Sequence, residues 1–392
     1  MTTKLIHAVT VSESLSFMDG QLRYLKGRGF EPKAMSSKGL DFEKFRASEQ
    51  VEMLELQMDR GISPLHDLRS LFNCISIIHH ERPLVVNAST PKAGLIVTMA
   101  AWICRVPVRV YTIRGLRMET TSGLKRSLLL TMEKMAASSA THCLAVSESL
   151  REKAIDFGIA SEDKIKVLGI GSGDGFEIDR FVESPEILIT RDKLRECYKL
   201  SKEHLILGFV GRLTKDKGVN ELVEVFKKLS VENEHLRLLI VGDYEDDDPV
   251  GAEVKWEIEN NPKIIKTGFL PDPVAYYYLM DVFVFLTKRE GFGNVSIEAA
   301  LCGRPVIASD VTGARNTIVD GNTGYLVNPD DSQDVKEKLS RLIESESLRL
   351  RFGEAGRQWA RANFSNEMLW NELDIFYKGC LSEALVIVSE ST

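Results

Sequence analysis

The stretch that most constrains this chain runs from Val282 to Val327. Val282–Leu286 is an apolar run that reads as a buried parallel strand. The chain then turns at Glu290-Gly291-Phe292-Gly293. Asn294 is placed to cap a helix whose body is Val295, Ile297, Ala299, Ala300 and Leu301. Gly303 and Pro305 stop that helix before a strand beginning at Val306–Ala308. A helix N-terminus exposes unpaired N–H groups and partial positive charge, which suits a phosphate. Glycines let a backbone approach a ligand closely. Glu290 and Glu298 flank the loop with seven residues between them. At that spacing Glu290 can face a sugar over the loop and Glu298 can accept hydrogen bonds from a ribose; otherwise they are a solvated residue and a helix-face residue.

The same alternation recurs along the chain. Lys4–Val9, Pro32–Ser36, Val51–Leu56, Leu84–Asn87, Val108–Thr112 and Leu144–Val146 read as strands, with Ser12–Ser16 a loop and Met18–Arg28 a helix. Leu65–His80 is an amphipathic helix with Leu65, Leu68, Leu71, Phe72, Ile75 and Ile78 on its apolar face. His204–Val210, Leu238–Val241 and Ile264–Thr267 are strands of a second set, and Val335–Ile343 and Leu348–Ala362 are late helices. Strands alternating with helices predict α/β folding with doubly wound parallel sheets, which bind ligands at the carboxyl ends of their strands. A length of 392 residues suggests two domains.

After His204–Val210 comes Gly211-Arg212-Leu213-Thr214-Lys215-Asp216-Lys217-Gly218. Arg212 and Lys217, five apart behind a glycine turn, either cradle a diphosphate leaving group, whose charge they can neutralise, or form a basic surface turn. Asp243–Asp248 reads as a solvated acidic loop. Glycines at 169, 171, 173 and 175 imitate a dinucleotide fingerprint but open no helix, so the segment reads as a connector. Gly171-Ser172-Gly173 there offers backbone amides to a ligand. Thr90-Pro91-Lys92 either holds an anion through Lys92 or is a plain helix cap. Between Arg105 and Arg126 stand six basic residues, Arg117 among them, against one acid, Glu119; Leu128, Leu129, Leu130, Met132 and Met135 follow. This segment is either a membrane-docking surface or a mobile acceptor loop leading to a buried helix.

Composition narrows the classes. A net charge of -7 argues against nucleic-acid binding. Six scattered cysteines without a C-x-x-C pair fit a reducing cytoplasm rather than disulfides or zinc. No metal-binding histidine spacing appears, and the N-terminus reads as free of a signal peptide.

The block E-G-F-G-N, E-A, G-R-P-V-I-A-S, D-G-x-T-G-Y-L-V, with R-x4-K upstream, resembles the retaining glycosyltransferases of family 4. The run T-P-K-A-G through G-L-K-R resembles the subgroup that builds bacterial capsular and surface polysaccharides. The resemblance implies a GT-B fold, two Rossmann-like doubly wound domains facing across a cleft. Residues 1–185 would form the acceptor-side domain and 190–365 the nucleotide-sugar domain, with a helix over 366–392 returning to the first. It implies a UDP-hexose or UDP-N-acetylhexosamine donor, a saccharide or undecaprenyl-pyrophosphate-linked acceptor, retention of configuration, and no required metal or cofactor. Localisation would be cytoplasmic, with peripheral contact at the inner membrane. Glu290 and Arg114 would be catalytic. Arg212, Lys217, Glu298, Gly211, the Gly291, Phe292, Gly293 and Asn294 loop, and Gly268 and Leu270 beside the base would hold the donor. Thr90, Lys92, Arg117 and Ser16 would serve the acceptor. Many members carry a His-Gly where this chain has Arg114-Gly115, and a guanidinium there suits a phosphate or sugar hydroxyl. Two other classes share the fold: a nucleotide-sugar 2-epimerase, which needs acid/base residues that this chain does not display, and a noncatalytic partner subunit, which the intact Glu290, Glu298, Arg212 and Lys217 disfavour.

Overall fold

The structure, a computed structural model, describes residues 2–390 except 60, 62 and 173, with side chains up to 385. The chain divides into two compact units. One comprises Met1–Phe176 with Phe364–Thr392, the other Glu177–Asn363. The division falls after Phe176 rather than near residue 185.

In the first unit β1 (Thr3–Ala8), β2 (Phe30–Ser36), β3 (Glu52–Glu55), β4 (Val85–Ser89), β5 (Val108–Ile113), β6 (His142–Ala145) and β7 (Ile165–Lys166) form one sheet. Its order is β3-β2-β1-β4-β5-β6-β7, every pair parallel. The second unit has β8 (Leu205–Val210), β9 (Leu236–Val241), β10 (Ile264–Lys266), β11 (Val282–Phe285), β12 (Val306–Ser309) and β13 (Gly324–Val327), in the order β10-β9-β8-β11-β12-β13. These strands also pair in parallel. In both sheets the strand order reverses beside the first strand, between β1 and β4 and between β8 and β11. That reversal opens a crevice at the carboxyl edge. All four residues of β11 are buried, as expected where helices cover both sheet faces.

The helix Asn366–Glu390 packs on the first unit. Leu373, Tyr377 and Cys380 join a core with Leu5, Leu22, Val85 and Val110, and Asn87 donates to the Tyr377 hydroxyl at 2.7 Å.

Several expectations need correcting. Ser12–Met18 is a 3-10 helix, not a loop. Helices Leu40–Glu49, Glu148–Asp156, Pro185–Cys197 and Ala252–Asn260 carry little sequence signal, because each mixes charge into a short apolar pattern. On the helix Pro64–Glu81 the buried residues are Ser70, Cys74, Ile78 and Glu81, while Leu65, Leu68 and Phe72 face outward. Periodicity identified the helix and placed Leu71, Ile75 and Ile78 inward correctly, but misassigned Leu65, Leu68 and Phe72. Gly173 lies outside the described residues.

Candidate functional site

The second unit concentrates its polar chemistry where β8 and β11 end side by side. Gly211–Gly218 leaves β8, and the glycines set its path. Gly218 has φ 71°, and a Cβ there would overlap the Leu286 carbonyl, so the loop lies against the end of β11. Gly313, at φ 79°, likewise admits the backbone of Glu290 and Gly291. Glu290 N donates to Thr312 O at 3.2 Å, which fixes the carboxylate's starting point.

Here the Lys217 ammonium pairs with the Glu290 carboxylate. The lysine Nζ also lies 5.9 Å from the Phe285 ring centroid. Both side chains are mostly buried, 15% and 19% exposed, so the pair is weakly screened. Arg212 donates from Nη1 to Glu245 Oε2 at 2.6 Å, in a pair that is about half exposed. Glu298 accepts from the Tyr277 hydroxyl at 2.7 Å, and burial raises its carboxyl's pKa.

A brace under this constellation was not visible in the sequence. Asp216 accepts from Thr214 Oγ1 at 2.5 Å and pairs with Arg289 at 3.4 Å, while its own N–H donates to Asp248 at 2.8 Å. Burial opposes the Asp216 charge. The Thr214 hydrogen bond and the Lys217, Arg289 and Arg212 charges outweigh it and hold the carboxyl below its usual range. The acidic loop is therefore not merely solvated, since Glu245 and Asp248 hold Arg212 and the Asp216 backbone.

Other expected positions land variously. The helix Asn294–Leu301 is capped by Gly293, with φ 98°, not by Asn294, which is its first residue. The Phe292 ring is buried and serves packing. Gly211 N donates to Val241 O and Gly242 N to Gly268 O, both at 2.9 Å, so the loops after β8, β9 and β10 meet at one edge. Leu270 follows on the last of these, beside the outward-facing Phe269.

In the first unit Arg114 follows β5. Its Nη1 donates to Asp174 Oδ1 at 2.6 Å, and its guanidinium carbon lies 4.3 Å from the Phe17 ring centroid. With Nη1 engaged, a two-pronged grip on a substrate is reduced to the remaining edge. Lys92, expected to hold an acceptor anion, is already engaged within the first unit. Its ammonium is buried against Asp67 Oδ1 at 2.6 Å and the Gly61 carbonyl. Thr90 makes no side-chain cap; its hydroxyl pairs with Thr10 Oγ1 at 2.7 Å. Arg117 and Ser16 are exposed, and Ser16 donates to Glu13 O.

Comparison with known proteins identifies the family. The family described as Glycosyl transferases group 1 matches residues 190–359, and a Glycosyl transferase 4-like domain matches 19–171. The capsular polysaccharide biosynthesis glycosyltransferase CapM of Staphylococcus aureus is 40% identical over 382 residues, 97% of this chain and 98% of CapM. The chain belongs to this glycosyltransferase family. A UDP-Gal:alpha-D-GlcNAc-diphosphoundecaprenol alpha-1,3-galactosyltransferase of Escherichia coli is 24% identical over 74% of each chain. Among solved structures, HepE of Anabaena in complex with UDP and glucose superposes with a TM-score of 0.80 at 20% identity, covering 96% of this chain and 100% of HepE. The fold is thus GT-B.

The glycosyltransferase's first unit also presents an apolar and basic surface. On the helix Gly123–Ser139 only Glu133, Ala136 and Ala137 are buried, while Leu124 is 91% exposed and Leu128 47%. Leu65 and Leu124 stand in the first turns of their helices and Leu68 at the start of the second. In a parallel sheet those turns open at the carboxyl edge. Lys125 and Arg126 lie beside Leu124 in sequence. Among the described residues, no helix of the glycosyltransferase is long and apolar enough to cross a membrane, and no cluster of three metal-ligating side chains occurs.

Proposed function

We propose that the chain is a retaining glycosyltransferase that moves a hexose or N-acetylhexosamine from a UDP-sugar to a lipid-linked saccharide acceptor during capsular or surface polysaccharide synthesis. The observation that carries this reading is the Lys217–Glu290 pair at the strand reversal of the second unit. A donor diphosphate takes over Lys217 and recruits Arg212 from Glu245. Glu290, released from the ammonium, turns to the sugar hydroxyls and stabilises positive charge developing at the anomeric carbon. Glu298 takes the ribose, with Tyr277 holding one of its oxygens. Arg114 offers its remaining edge to a phosphate or hydroxyl of the bound substrates.

Retention follows from same-face attack, with the leaving phosphate accepting the acceptor's proton. Lys217 and Arg212 supply the positive charge that this leaving group needs, so activity is expected to persist without a metal. CapM's stated role in capsule synthesis and the diphosphoundecaprenol acceptor in the E. coli relative's name support the acceptor class. The exposed leucines beside Lys125 and Arg126 suit docking on an anionic bilayer that carries such an acceptor.

The test is calorimetry with UDP, GDP, ADP and their common sugars, with and without EDTA. Saturable binding of UDP and one UDP-sugar, unchanged by EDTA, is expected. No nucleotide binding would sink the reading. An inverted anomeric configuration in the product, read by proton NMR, would overturn retention alone. Sedimentation with phosphatidylglycerol vesicles but not phosphatidylcholine vesicles tests the docking surface.

A further inference from the structure

The guanidinium of Arg114 is held from several sides, and one of its holders lies in the glycine-rich connector segment. Asp174 Oδ1 receives Nη1 at 2.6 Å, with both side chains largely buried at 12% and 18% exposure. Phe17 covers the guanidinium face. On the other side Arg114 lines a cavity of about 20 Å³ with His7, Gln21, Asn87, Thr112 and Ser172. Arg114 Nε is buried without a hydrogen-bond partner, and the His7 and Gln21 side chains face each other beside it. His7 adds no charge there. Burial, with Arg114 nearby, lowers its pKa to about 3, and its Nε2 lies 3.0 Å from Ser89 Oγ. The back of the site is therefore neutral, and Asp174 is the anion paired with Arg114 among the described residues.

Asp174 itself is firmly placed. Ser172 Oγ accepts from Asp174 N at 3.4 Å and from Gly175 N at 3.2 Å. Gly175, at φ 73°, lies so close to Asn366 that a Cβ would overlap its backbone. Phe176 N donates to Phe364 O at 2.8 Å, and Asn366 N donates to Phe176 O at 3.0 Å. The segment carrying Asp174 is thus stitched to the chain's return into the first unit.

We propose that Asp174 is a positioning residue of the glycosyltransferase, fixing the Arg114 guanidinium at the carboxyl end of β5 so that its remaining edge meets the substrates. A charged, planar side chain held by a buried carboxylate loses little orientation entropy when substrate arrives. This deepens the proposed function, because it rests on Arg114 contacting substrate.

The test compares Asp174→Asn, Asp174→Glu, Arg114→Ala and the double variant Asp174→Asn/Arg114→Ala. UDP release is followed from UDP-glucose and UDP-N-acetylglucosamine, with UDP affinity and the unfolding midpoint measured on each protein. Asp174→Asn is expected to lower kcat at least tenfold while UDP affinity stays within twofold. Asp174→Glu should recover part of the loss. The double variant should be no slower than Arg114→Ala alone, because one function has been removed twice. Parental kcat in Asp174→Asn, or additive losses in the double variant, would overturn the proposal. Additive changes in the unfolding midpoint across the same four proteins would show that the pair is uncoupled and would overturn it as well. Parental kcat in Arg114→Ala would instead remove the substrate role of Arg114 on which the proposal rests.

Discussion

Each unit buries a tyrosine whose hydroxyl donates to a glutamate on a helix: Tyr111 to Glu133 at 2.5 Å in the first, Tyr277 to Glu298 at 2.7 Å in the second. Each also pairs a lysine with an acid near its strand reversal, Lys92 with Asp67 and Lys217 with Glu290. In the first unit Glu133 and the Lys92 ammonium are enclosed, while Asp67, at 21%, is as exposed as Glu290 at 19%. Glu133 is 6% exposed, and Lys92 carries a second acceptor, the Gly61 carbonyl. In the second unit Lys217 is 15% and Glu290 19% exposed at the carboxyl edge, and Glu298 is half-buried. The same strand order thus supports two uses of charge. Where a pair is enclosed it specifies packing, and where it reaches the edge a ligand can exchange one partner for another.

That contrast predicts different consequences for breaking corresponding pairs. Lys92→Met should be costly to the fold, leaving the partly exposed Asp67 without its cation; the expected loss is about 1–3 kcal/mol. Urea denaturation should show this loss while UDP affinity stays unchanged. A weaker UDP affinity would mean that the first unit's lysine reports to the donor site after all.

The enclosed carboxyl should also reveal itself through pH. Burial pushes the Glu133 carboxyl up to about 7, against a slight lowering by the Tyr111 hydrogen bond. A raised folded-state value means that the native state holds its proton longer than the unfolded chain does. Stability from this group is therefore complete below the unfolded value of about 4.5 and is lost as pH rises through about 7. The expected loss is about 3 kcal/mol across that window. The difference in unfolding free energy between parent and Glu133→Gln, measured from pH 4 to 8, should carry that slope. A flat difference would place Glu133 with the exchangeable acids.

At the open edge the effect should move from stability to rate. Glu290→Gln should slow transfer by about 100-fold, the scale of a lost electrostatic contact to a developing charge. UDP should bind at least as tightly, since Lys217 no longer has a competing carboxylate. Weaker UDP binding in this variant would contradict partner exchange. Glu245→Gln should have the smallest effect. The Arg212–Glu245 pair is half exposed, so freeing Arg212 should alter stability by under about 1 kcal/mol. UDP affinity should rise by less than about fivefold, readable by calorimetry.

Local chemistry in the sequence determined much of this protein. The apolar run before Thr287, the glycines around Glu290 and the stop at Gly303-Arg304-Pro305 specify strand, loop and helix, because each acts on its own few residues. The spacing of Arg212 from Lys217 and of Glu290 from Glu298 places chemistry at strand ends, and the structure finds it there. What short-range pattern does not encode is which groups find each other. Lys217 meets Glu290 across 73 positions, Arg212 meets Glu245 across 33, and Arg114 meets Asp174 across 60. Those meetings depend on parallel pairing that brings β8 against β11, and on the packing of the segment around Gly175 against Asn366. Lys92 shows the same limit from the other side. It stands at a helix N-terminus as an anion-binding lysine would, yet the neighbouring helix Pro64–Glu81 supplies Asp67 and takes its charge. Residue type and spacing determined where charge is carried. Tertiary contacts alone decided which charges are already matched and which remain exchangeable, because electrostatic partners are chosen by distance in space.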